Sequence, residues 1–340
     1  MRPEPSHARQ ATPLPHPERA SCSVVIPTKN RPHLIPPLLA ALRKQTAPPA
    51  EVIIVDQSEG VVTESLHAQA SDGGAGEGSF TWLRDPRIDG AAAARNVGLR
   101  LTTTSYVIFL DDDALPEPDC LSLLIEALDK HPNLLAVGGL VCNYAPPPFL
   151  TRLFRRMFYL GALYDERQPT YWRARRYQPG ELIPTTKLNG GCMAFRREVL
   201  LEIGGFDSRY RGASVGEDVE ISQRLIRRAG RQDALALVGG AFIHHASEGA
   251  WKSNARAIEF ELVATHYWFT RNHPWNLANR LRFFWMCCGL WLWSVASAAK
   301  RRNAKPLRGF LAGLDSIRHN YRGCPFLKEE QPLSQLQTAP

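Results

Sequence analysis

From Ser21 onward, short apolar runs alternate with segments whose apolar residues recur at helical spacing. "CSVVIP" is a β-branched run of strand type, and "PHLIPPLLAALRKQ" behind it has helical spacing. "AEVIIVDQS" predicts a second buried strand ending in Asp56, and "FTWLRD" a third short one. "GAAAARNVGLRLT" predicts a helix, and "SYVIFLDDD" the strand after it. Nearly all-apolar strands alternating with helices predict an α/β fold whose mostly parallel sheet is sandwiched by helices. The run "SDGGAGEGS" (71–79) contains Gly-x-Gly, but no strand feeds it and no helix opens from it. It predicts a surface loop and not a dinucleotide-binding turn.

Beyond Pro118 the pattern continues with a helix, "DCLSLLIEALDKH", and an apolar stretch, "LLAVGGLVCNY". Residues 146–186 are rich in Arg and Tyr with weak periodicity, and are expected to be a mobile region near an acceptor. "KLNGGCMAFRREVLLEIGGFD" predicts a glycine turn, a strand and a helix. "GEDVEISQRLIRRAG" predicts an acidic turn opening an amphipathic helix, and "DALALVGGAFIHHAS" a last strand ending in His244 and His245.

In parallel sheets ligands gather beyond the C-terminal strand ends. Three polar clusters stand at such ends: Pro27 to Arg31, Asp56 to Ser58, and Asp111 to Asp113. Two carboxylates ~4 Å apart repel by about 4 kcal/mol at an effective dielectric near 20. Positive charge is therefore expected beside the triple aspartate, as a bound cation or a basic neighbour, unless water solvates a simple turn. Asp111 and Asp113 project to the same side if the segment is extended.

Composition changes the picture at the two ends. The first twenty residues are proline-rich, lack periodicity and lack the apolar core of a signal peptide, so a disordered tail (1–20) is expected and secretion is not. Seven cysteines without CxxC spacing suit reduced thiols and core filling, not a disulfide framework. The net charge is +8, and residues 271–322 hold ten Lys/Arg against Asp315 alone, a local balance of +9. Within that stretch, 283–299 is a seventeen-residue charge-free run with Phe283, Phe284, Trp285 and Trp291, flanked by Arg280, Arg282 and Lys300–Arg302. It predicts a helix lying in a membrane interface, with a single span or a buried helix as alternatives. No recognition motif points to nucleic acid.

"SVVIPTKNRP", "VIIVDQS", "ARNVGL", "FLDDDALPEPD", "NGGCMAFRREVLLEIGGFD" and "GEDVEISQRL" occur in the order seen in family 2 glycosyltransferases, which the chain resembles over about 21–250. The resemblance implies a GT-A fold at 21–250, with 251–340 as a C-terminal helical, basic and aromatic membrane-associating extension. It implies a nucleotide-diphosphate sugar donor, UDP- or dTDP-type, and a saccharide or lipid-linked acceptor in cell-envelope polysaccharide or glycolipid synthesis. The setting it implies is the cytoplasmic face of the inner membrane. Mn2+ or Mg2+ is the implied cofactor, held by Asp111, Asp113 and His244. Pro27, Thr28, Asn30, Arg31, Asp56, Arg95, Asp111 and Asp112 are implied at the nucleotide-sugar, and Gly190 and Gly191 at the acceptor. Asp218 is implied as the base of an inverting transfer, with Glu217 orienting the acceptor; as plain residues, the pair could also be an acidic helix start. A nucleotidyltransferase is the competing enzyme reading, but it would be expected to carry a glycine-rich phosphate loop, and "PTKNRPHL" has no glycine. A non-catalytic nucleotide-sugar binder is the other alternative.

Overall fold

A computed structural model describes residues 21–59, 78–212, 214–246 and 255–327. The proline-rich tail and most of the glycine-rich run 71–79 lie outside these residues. A single sheet runs in the order β3-β2-β1-β4-β8-β6-β9-β5, with β7 also on β9. The strands are β1 (Cys22–Thr28), β2 (Glu51–Asp56), β3 (Ser79–Arg84), β4 (Tyr106–Leu110), β5 (Ala114–Pro116), β6 (Ala136–Val141), β7 (Leu182–Pro184), β8 (Cys192–Arg196) and β9 (Leu235–His245). Strands β1, β2, β3 and β4 pair in parallel, and β6 is parallel to β9. Strand β8 lies antiparallel between β4 and β6, so both of its neighbours point the same way. Three strands, β5, β7 and β8, therefore oppose six, and the sheet is mostly parallel as the apolar runs predict.

The helix Ala91–Leu101 is small-sided for a reason. A Cβ on Gly98 would stand 2.3 Å from Val25 Cγ1, so the helix can lie this close to β1 only with glycine there. At the sheet centre Phe109 meets Phe195 and Phe206 edge-on, with centroids 5.7 and 5.0 Å apart. All seven cysteines are free thiols, and Cys22, Cys120, Cys192 and Cys324 are buried as core filler.

The helix expected beyond Pro118 begins at Cys120, and ahead of it "ALP" forms the short strand β5 on β9, which the sequence pattern does not predict. The 146–186 region folds into the helices Phe149–Phe158 and Arg167–Tyr171 followed by β7. Its periodicity reads weakly because the outer side of the first helix is apolar: Phe149, Leu150, Leu153 and Met157 are exposed.

The C-terminal residues form helices Ala255–Asn272, Leu277–Arg301 and Lys305–Arg318. Asn276 caps the second, its side chain accepting from Asn279 N. A second apolar cluster, with Leu262, Phe269, Met286, Leu290 and Phe310 at its centre, joins them.

Candidate active site

Strand β4 ends at Leu110, and the three aspartates that follow divide by side. Asp112 turns inward: its side chain is wholly buried, with Oδ2 accepting from Thr28 Oγ1 at 2.7 Å and Oδ1 2.6 Å from Arg31 NH2. Burial pushes its carboxyl up to about 7 despite Arg31 and Thr28. Asp112 therefore fastens the aspartate turn to β1 rather than facing a nucleotide. Pro27 and Thr28, also expected at the nucleotide, are buried strand residues paired with Val55 and Asp56. At that strand end Asn30 and Arg31 reach the surface side, Asn30 with φ +57° and its N–H on Ser58 Oγ.

Asp111 and Asp113 turn to one side, as the alternation predicts, and meet an imidazole there. It belongs to His245, not to His244. Neighbouring strand residues face opposite ways, and β9 pairs with β5 so that His245 stands opposite Ala114 and His244 opposite Leu115. His245 Nε2 lies 3.0 Å from Asp113 Oδ1 and 3.7 Å from Asp111 Oδ2, while Tyr144 OH is 2.7 Å from its Nδ1. His244 points away, its Nε2 2.9 Å from Glu117 Oε1 and 3.5 Å from Cys142 Sγ. The imidazole expected from His244 beside Asp111 and Asp113 is thus that of its neighbour.

The donor atoms of Asp111, Asp113 and His245 all fall within 4.8 Å of one another. Two carboxylate oxygens and one imidazole nitrogen make a hard, oxygen-rich set that fits Mn2+ or Mg2+. Basic neighbours balance the charge as well: Arg31 NH1 is 3.1 Å from Asp113 Oδ2, and Arg95 NH2 is 2.7 Å from Asp111 Oδ1. Burial works against ionisation of Asp111, but Arg95 and His245 outweigh it and hold the carboxyl at about 2. Burial likewise opposes the His245 imidazolium, and the hydrogen bonds to Asp111 and Asp113 overcome it, raising the pKa to about 11.

Arg95 carries the link to the second acidic pair. This buried guanidinium donates from NH1 to Glu217 Oε1 at 2.5 Å, and from NH2 to both Asp111 and Gly190 O. Glu217 opens the helix Glu217–Ala229 but is itself only 4% exposed. Burial pushes its carboxyl up to about 8, against the pull of Arg95. Glu217, expected to orient the acceptor, faces inward to Arg95. Asp218 is more open, and its Oδ2 accepts from Arg167 NH1 at 2.8 Å and from Gly190 N at 3.3 Å. Gly190 thus donates its N–H to Asp218 and accepts on its C=O from Arg95, and the C=O of the buried Gly191 accepts from Asp111 N.

Arg167 was not visible in the sequence pattern. It sits in the segment with weak periodicity, paired also to Asp165 at 2.8 Å and to Leu188 O. Asp56 ends β2 with Oδ1 accepting from Ser58 N at 2.9 Å and Oδ2 3.4 Å from Trp82 Nε1, which is the turn geometry that "DQS" allows.

Comparison with known proteins gives the family and the fold. An uncharacterized glycosyltransferase of Haemophilus influenzae is 27% identical over 208 residues, 60% of this chain and 62% of its own. The N-acetylglucosaminyl-diphospho-decaprenol L-rhamnosyltransferase of Mycobacterium tuberculosis is 26% identical over 179 residues, covering 49% and 56%. The chain thus spans less than two thirds of the length of either relative. The mannosyltransferase PcManGT from Pyrobaculum calidifontis, solved with GDP-Man and Mn2+, shares the GT-A fold at TM-score 0.50 and 20% identity, over 91% of this chain and 84% of that one. The profile described as glycosyl transferase family 2 matches residues 23–204, more than half of the chain, and the chain belongs to that family of glycosyltransferases.

Proposed function

We propose that the protein moves a sugar from a nucleoside-diphosphate donor, UDP- or dTDP-type, to an acceptor hydroxyl with inversion at the anomeric carbon. The acceptor is a saccharide or a lipid-linked saccharide of cell-envelope synthesis, reached at the cytoplasmic membrane face with 283–299 in contact with lipid. The observation that carries this reading is Arg95, whose one guanidinium joins Asp111 to Glu217 and so fixes the two acidic clusters relative to each other.

Asp111, Asp113 and His245 would hold Mn2+ or Mg2+, which would supply positive charge against the departing diphosphate. Asp218 Oδ2 takes the acceptor proton, with Arg167 and the Gly190 N–H fixing the carboxylate's orientation. Arg95 is buried and charge-paired, so it holds Asp111 in place without swinging into solvent. Asn30 and Arg31 flank the donor, and Asp56 Oδ2, whose contact to Trp82 is long, accepts from the nucleobase.

The test is transfer from UDP-, dTDP- and GDP-sugars to a lipid-linked or soluble saccharide, with product anomeric configuration read by NMR. Inverted product that disappears in EDTA and returns with Mn2+ supports the reading. Retained configuration, or full turnover in EDTA, overturns it.

A further inference from the structure

The helix Phe149–Phe158 has three sides with different chemistry. Phe154 and Phe158 turn inward to the helix Leu277–Arg301, where Phe158 stacks on Trp285 at 5.0 Å and Phe154 meets Trp293 at 5.6 Å. Trp285 Nε1 donates to Met157 O at 2.8 Å, satisfying one of the carbonyls left open at a helix C-terminus. The contact is close because of Gly289: a Cβ there would fall 2.4 Å from Phe158 Cγ. A second side carries the exposed arginines Arg152, Arg155 and Arg156. The third is apolar and faces outward, with Phe149 66% and Leu150 75% exposed beside Leu153 and Met157.

Its partner helix also exposes apolar residues. Leu277 is 72% and Phe284 64% exposed, with Leu281, Trp291 and Leu292 further along. Leu277–Arg301 is long and apolar enough to cross a membrane by length and composition. Its opposite side, however, is sealed by protein: Phe283, Met286, Leu290 and Ser294 are buried. Its charge-free stretch of seventeen residues rises only ~26 Å, short of a ~30 Å hydrocarbon core. A helix of that length with one side packed on protein suits the interface and not a span.

We propose that Phe149–Phe158 and Leu277–Arg301 together form one docking face for an anionic lipid bilayer, with Phe149, Leu150, Leu153 and Met157 entering the acyl boundary. The occupant follows from charge: neither helix contains an acidic residue, and Arg155, Arg156, Arg280, Lys300 and Arg302 are all exposed on or beside the apolar sides. Apolar insertion ringed by cations matches an anionic headgroup layer. The inference rests on the reading of the site as one that serves a lipid-linked acceptor, and it adds a reason for the position of Arg167. That residue follows Phe158 by nine positions and holds Asp218, so the docked helix leads directly into the proposed base.

Flotation of the full chain with phosphatidylcholine vesicles, with and without phosphatidylglycerol, tests this in the absence of donor and acceptor. Docking can thus fail while glycosyl transfer to a soluble acceptor stands, and the reverse. The protein should float with the anionic vesicles and leave them in high salt. Arg155→Gln with Arg156→Gln should lower partitioning about 30-fold, at about 1 kcal/mol for each cation. Leu150→Ser with Leu153→Ser should lower it by roughly tenfold or more, with circular dichroism unchanged because both side chains are already in solvent. Wild-type indifference to lipid charge, or undiminished flotation of the leucine variant, overturns the proposal. So does a vesicle-free dimer that the leucine variant abolishes, since a second copy would then cover the face.

Discussion

His245 Nε2 stands 3.0 Å from Asp113 Oδ1 while Tyr144 occupies the other ring nitrogen at 2.7 Å. The imidazole is thus oriented from behind, as ring nitrogens at metal sites are when a partner fixes the tautomer. Asp113→Asn and His245→Gln should each remove the Mn2+-dependent rise in melting temperature and most of the transfer activity. His244→Gln should keep both. Thermal-shift titration with Mn2+ checks this, and a His244→Gln variant that loses the response would return the site to His244.

Asp218→Asn keeps the size of the side chain and removes the base. Turnover should fall by about 10²–10⁴, while nucleotide-sugar affinity, measured by calorimetry, stays near wild type. A parallel loss of donor affinity would place Asp218 at the donor instead.

Gly98→Ala brings a methyl to within 2.3 Å of Val25 Cγ1, inside a helix–strand contact that cannot open without moving β1. Overpacking of this kind costs about 1–3 kcal/mol. The urea midpoint should fall while the slope of the transition is unchanged.

His266 bonds Tyr321 OH at 2.6 Å and meets Phe283 edge-on, and burial lowers its pKa from 6.5 to about 4. The unfolded chain binds this proton at higher pH than the folded one. Its contribution is therefore complete above pH 6.5 and is lost as pH falls towards 4. Melting temperature should decline across that window, and His266→Gln should flatten the decline; an unchanged slope would remove His266 as its source.

What the sequence revealed and what it hid follow one physical division. The apolar runs of β1, β2 and β4 and the alternation of Asp111 with Asp113 are local properties, and both were legible. The choice between His244 and His245 was not, because it depends on the register of β9 against a strand only three residues long, Ala114–Pro116. Arg167 was hidden for a related reason. It lies 51 positions before Asp218, in a segment whose preceding helix turns apolar residues outward and so blurs the usual pattern. Glu217 was legible as an acid at a helix start, but its burial against Arg95 is a contact across 122 positions.

That last contact constrains how the chain can diverge. Arg95 is buried between Glu217 and Asp111, so the two positions are not equivalent. Loss of Arg95 leaves both carboxylates without their cation, and breaking a buried pair in this way costs about 3–5 kcal/mol, whereas loss of Glu217 leaves Arg95 still paired to Asp111. Substitution is therefore tolerated more readily at position 217 than at position 95, although the two stand 122 positions apart in the chain.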